Sequence, residues 1–139
     1  MRVTKFLWLA IPFVFLLAIL GTVFGPGRKL QPEVKVQVIA VKADPDDPAD
    51  VERARKKIEE AYEFLENGVE FDKVVAAKSE ALSANTQGEM GWIGKGVLPK
   101  DLEDVVFSLE PGHHSEILKG FAGEALVYRI LYVEERRNF

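Results

Sequence analysis

The stretch from Gly88 to Gly112, GEMGWIGKGVLPKDLEDVVFSLEPG, decides how this chain is read. Glycines at 88, 91, 94 and 96 permit positive φ or close backbone approach. Gly88-Glu89-Met90-Gly91-Trp92 reads as a strand and Gly94-Lys95-Gly96 as a turn. Leu98, Leu102, Val105, Val106 and Leu109 then recur at helical spacing, while Lys100, Glu103 and Asp104 point elsewhere. Pro99 suits the first turn of that helix, where a missing amide donor costs nothing, and Glu110-Pro111-Gly112 ends it. A strand, a glycine-rich turn and a helix from Leu98 to Leu109 are therefore predicted.

Working outward, Val34 to Val41 alternates apolar and polar residues and then turns apolar on both faces, as a central strand does. Asp47-Pro48 reads as an N-cap followed by proline at the first helical position. Val51, Ala54, Ile58, Ala61, Tyr62 and Leu65 continue as one apolar stripe until Asn67-Gly68 stops the helix. Phe71, Val74, Val75 and Lys78 predict a shorter helix, and Ser79 to Gln87 a loop with room for one more helical turn. Ser115 to Leu118 and Ala125 to Val133 are predicted strands, joined through a turn at Gly120-Phe121-Ala122-Gly123.

From about Val34 to Glu135 this order resembles the parvulin family of peptidyl-prolyl isomerases. The resemblance implies an α+β fold of order βαα(α)βαββ with a mostly antiparallel, four-stranded sheet. It also implies a proline-sized pocket, with Met90, Leu98 and Leu102 at the apolar positions that bind substrate; the same residues suit an ordinary core. Behind that pocket the family carries a polar catalytic cluster. Its first-strand histidine falls on Val38, its loop cysteine or aspartate on Ala81, and its last-strand histidine on Ala125, or Leu126 if the turn differs by one residue. All these positions are apolar here, so no catalytic residue is assigned. An isomerase must stabilise a twisted amide, and a polar network is one means of doing so. The loop Asp44-Pro45-Asp46-Asp47-Pro48-Ala49-Asp50 would repel phosphate, which argues against a phosphoserine-proline substrate.

Phe6 to Phe24 contains no charged residue and, as a helix, would reach about 28 Å, close to the thickness of a bilayer's apolar core. Residues 1–24 are read as a cytosolic head with one transmembrane helix, 25–32 as a linker, and 33–139 as the parvulin-like domain. Arg2 and Lys5 precede the span and Arg28 and Lys29 follow it, so charge alone does not orient it. The short head favours a domain on the extracytoplasmic, periplasmic side. The linker would keep that domain within roughly 30 Å of the bilayer.

All 22 acidic residues lie at or after Glu33 with 14 of the 18 basic ones, a formal charge of −8 that makes a poor nucleic-acid surface. The absence of cysteine excludes a disulfide framework and a thiolate nucleophile. His113 and His114 are adjacent, so on a strand they point to opposite faces and do not chelate one metal; a solvated turn is predicted for them. No cofactor and no metal are expected. Two functions fit these residues: a membrane-anchored isomerase or foldase that binds proline-containing protein segments with weak or lost catalysis, and a non-catalytic accessory subunit or assembly factor bound to an integral-membrane protein.

Overall fold

The computed structural model describes residues 31–138 apart from 82, 83, 85 and 86. In chain order the elements are β1 (Glu33–Ala43), α1 (Pro48–Glu66), α2 (Phe71–Lys78), β2 (Glu89–Gly94), α3 (Lys100–Ser108), β3 (His113–His114), β4 (Leu118–Ala122) and β5 (Ala125–Arg137). The strands form one antiparallel sheet in the order β2-β1-β5-β3, with β4 also paired to β5. This is the α+β arrangement predicted, with three helices among the described residues. The additional helical turn predicted in the loop falls where four residues lie outside the described set. So does the apolar stretch 6–24. Among the described residues no helix is long and apolar enough to cross a membrane.

The sheet is sandwiched between two apolar layers because β1 and β5 are apolar on both faces. Ile39, Val41, Leu126, Tyr128 and Ile130 face α1 and α2, meeting Ala54, Ile58, Ala61, Leu65, Val74 and Val75. Val34, Val36, Val38, Val127, Leu131 and Val133 face the other way, toward Val106 and Leu102 of α3. Helix α1 starts as its sequence dictates: the Asp47 carboxylate accepts the Ala49 amide at 3.0 Å, and Pro48 occupies the first turn. It ends in a Schellman motif, with the Gly68 and Val69 amides returning to the Leu65 and Phe64 carbonyls and Gly68 at φ 85°.

Four sequence-based expectations are corrected. The sheet has five strands rather than four, because His113–His114, predicted as a solvated turn, pairs with Val133 and Tyr132. The strand predicted at Ser115 to Leu118 instead begins at Leu118 and runs to Ala122. Ser115 takes the place of a ladder residue: its amide donates to the Leu131 carbonyl at 2.7 Å and its hydroxyl accepts the Leu131 amide at 2.9 Å. The turn then narrows to Gly123-Glu124, where Gly123 has φ 63° and Ala122 faces Ala125. Helix α3 starts at Lys100, not Leu98, with Pro99 as its N-cap at φ −51°, ψ 147°. A residue before proline is driven out of the helical region, so Leu98 lies ahead of α3 and not within it.

Candidate functional site

The α3 face of the sheet carries a groove of about 400 Å³. Alternate residues of two neighbouring strands make its floor: Val38, Ala40 and Lys42 from β1, and Val127, Arg129 and Leu131 from β5. Leu98 and Leu102 form one wall, and Met90, Ala81 and Ala122 complete it. The carbon lining is dry at its base, with Val127 and Leu131 each 1% exposed.

Each wall is placed by a local feature of the chain. Val36 stands opposite Gly91 and Gln37 opposite Glu89, which leaves Met90 as the extra residue of a β-bulge with Gly91 at φ 74°. A bulge re-aims a side chain, and here Met90 points into the groove, 39% exposed, rather than into either core layer. Beyond the bulge β2 no longer covers β1, and the segment leading to Gly88 takes over its hydrogen bonds. The Val38 amide donates to the Gly88 carbonyl at 2.9 Å, the Ala40 amide to the Ser79 hydroxyl at 3.2 Å, and the Glu80 amide to the Ala40 carbonyl at 2.7 Å. This strapping presents Ala81 to the groove. The Glu103 carboxylate accepts the Gly96 amide at 2.7 Å, and Arg136 donates to the Phe107 and Leu109 carbonyls at 2.9 and 2.7 Å, so both ends of α3 are held in place behind Leu98 and Leu102.

Glu80 is the electrostatic centre of the strap. Burial opposes its ionisation, but Lys57, the Lys42 backbone amide and Arg53 outweigh burial and hold its carboxyl below the usual range. Glu80→Gln removes that charge, and we expect a loss of about 1 kcal/mol, discounted for partial exposure. Because the folded-state pKa is lowered, this stabilisation is present above the unfolded carboxylate pKa and is lost as pH falls through the folded value. Denaturant unfolding of both proteins across the acid range should therefore converge at low pH; a constant gap would refute the assignment.

Of the positions singled out in the sequence, Val38, Ala81, Met90, Leu98 and Leu102 meet in this groove, whereas Ala125 does not. Ala125 lines a separate concavity with Lys42, Ala43, Asp44, Pro45, Asp50 and Glu124. The register explains the miss: Val38 faces Leu131, six residues beyond Ala125, so the last strand enters the groove further along than the loop spacing indicates. Val127, Arg129 and Leu131 were not anticipated. The signal was there in Arg129, the one charged side chain within the apolar run from Ala125 to Val133.

Among the described residues lining the groove there is no histidine, serine, threonine, cysteine or carboxylate. The two histidines lie elsewhere: His114 sits 3.2 Å from the Glu66 carboxylate and edge-on to Tyr62, beside the end of α1. Tyr62 donates to Glu116, and that bond pushes the phenol up to about 12. Glu89 is pushed up, first by burial and then by Glu134, but the pair shares Lys35 on the face of the sheet away from the groove. No group of three or more metal-ligating side chains occurs among the described residues. The groove can therefore desolvate and grip an apolar residue of an extended chain, with cations at one end and no proton donor or acceptor of near-neutral pKa in its lining.

A family model described as Rotamase, PPIC-type PPIASE domain, matches residues 38–135. The chain belongs to this family. Chaperone SurA of Burkholderia lata is 34% identical over 89 residues, covering 63% of this chain and 20% of that protein. Periplasmic chaperone PpiD of Haemophilus influenzae is 35% identical over 78 residues, 55% of this chain and 12% of the relative. Peptidylprolyl isomerase PrsA from Bacillus cereus superposes with a TM-score of 0.62 at 27% identity, over 79% of this chain and 37% of that one. The chain thus spans about a fifth of the length of the SurA relative.

Proposed function

We propose that this chain is a membrane-tethered parvulin-type domain that binds proline-containing segments of other polypeptides and turns them over weakly. The observation that carries the reading is the groove itself: an apolar seat of Leu98, Leu102, Met90 and Val38, with no general acid, base or neutral hydrogen-bonding side chain in its described lining. Uncatalysed isomerisation at X-Pro takes tens of seconds, and a site of this composition has shape, desolvation and the cations at one end with which to lower that barrier, without the family's polar cluster. Transition-state stabilisation by placed hydrogen bonds is worth about 100-fold or more per donor, so its loss separates binding from turnover. Residues 6–24 supply the membrane span and the domain lies on the extracytoplasmic side. The apolar length of that stretch and the periplasmic chaperone among the relatives support this placement.

The test is a proline-peptide isomerisation assay on the purified chain beside a histidine-containing parvulin, with peptide affinity measured in parallel. The expected result is comparable affinity and kcat/KM at least about 100-fold lower. Turnover equal to that of the histidine-containing enzyme would overturn the weak-catalysis reading. Absence of any peptide binding would overturn the groove assignment and favour an accessory role through another surface.

A further inference from the structure

Resting on the reading of the groove as a peptide site, we propose that Arg129, with Lys42 beside it, forms an anion subsite. It selects polypeptide segments that carry an aspartate or glutamate next to the residue seated on the apolar floor. Arg129 is half-buried and lines the same groove as Leu98 and Leu102. It stands opposite Ala40 in the β1–β5 ladder, and Lys42 follows two residues along on the same face, so the two cations are diagonal neighbours.

Neither side chain has a hydrogen bond, ion pair or ring contact among the described residues, a condition shared only with the exposed Lys119. Every other described lysine and arginine is engaged, several of them twice, as befits a domain in which acids outnumber bases. A guanidinium offers five donors, and leaving them unmet in a half-buried site is unfavourable. Placing a second cation on the same face adds repulsion. One bound carboxylate would answer both, accepting from Arg129 in a bidentate pair while neutralising Lys42. The guanidinium lies alongside the backbone of β4, where a Cβ on Gly120 would be 3.7 Å from Arg129 Nη1.

A carboxylate fits better than a phosphate. Lys42 also borders the concavity that holds Asp44, Asp50 and Glu124, and these acids oppose a dianion more strongly than a single charge.

The experiment titrates the full-length chain with three labelled peptides identical except for the residue beside proline, which is Glu, Gln or phosphoserine, and reads affinity by fluorescence anisotropy. The Glu peptide should bind about tenfold more tightly than the Gln peptide, with the ratio shrinking as salt is raised. In Arg129→Met that ratio should fall toward one, and in Lys42→Gln it should fall part-way, which keeps the test open if the first variant folds poorly. A wild-type ratio near one, or an unchanged ratio in both variants, would overturn the subsite while leaving the groove as a peptide site. Phosphoserine favoured over Glu by more than about tenfold would overturn the carboxylate assignment. If none of the three peptides binds, the groove reading itself fails and the subsite with it.

Discussion

Gly88→Ala is expected to destabilise the domain by roughly 3 kcal/mol, combining left-handed backbone strain with overpacking. Gly88 has φ 76°, and a Cβ built on it would lie 2.6 Å from the Val38 carbonyl oxygen and 3.0 Å from Val75 Cγ2. Neither neighbour can retreat. Val75 is fully buried against the sheet, and Val38 donates its own amide to the Gly88 carbonyl at 2.9 Å. Gly96 provides the control: its φ is 89°, but nothing lies within 4 Å of its virtual Cβ. Gly96→Ala should therefore cost only about 1 kcal/mol, the backbone strain alone. Denaturant unfolding of the two variants makes the comparison, and equal losses would show that the approach of residue 88 to β1 is not tight. Because the Met90 bulge starts one residue later, the Gly88 variant should also weaken peptide binding through the groove wall.

Val38→His should lower stability by about 2 kcal/mol and leave isomerisation no more than a few-fold higher. Val38 is 7% exposed and looks onto Leu131, Leu102 and Ala81, none of which accepts or donates a side-chain hydrogen bond. An imidazole placed there is larger than valine and carries a donor and an acceptor with no partner. Adding Ala81→Asp supplies one partner and should recover part of the loss. The third member of a restored polar cluster belongs at Val127, inside the groove, rather than at Ala125, which lies outside it. Thermal melting and the isomerisation assay on the single, double and triple variants test the idea. A triple variant with unchanged melting and turnover close to that of a histidine-containing parvulin would mean that the groove is already poised for catalysis.

Much of the architecture is written locally. The Asp47-Pro48 start and Asn67-Gly68 stop of α1, the apolar stripe between them and the two-faced apolar run of β1 each follow from residues within one or two turns of chain. Such signals depend on capping chemistry and periodicity, which need no distant partner. The glycine pattern from 88 to 96 likewise announced a special backbone, and the positive φ of Gly88, Gly91 and Gly96 bears this out. The apolar identity of positions 38, 81, 90, 98 and 102, and with it the lack of titrating side chains there, was also legible from sequence alone.

Register was not legible. Leu131 and Ala125 lie on the same face of β5, and which of them stands across from Val38 depends on how β5 slides against β1; the hairpin before β5 could have closed at Gly120 or at Gly123 with similar local propensity. The pairing of Val38 with Leu131 and the Ser115 bonds to Leu131 fix the register, and both join residues well separated in sequence. The same long-range choice turns Arg129 from a charge in an apolar run into a lining residue beside Lys42. The sequence by itself determined the helices, the strands β1, β2 and β5 and the apolar character of the seat. Only the tertiary structure decided which strand positions complete that seat and where its cations stand, because side chains on a sheet share a face by register, and register is set by the sum of contacts along the whole strand.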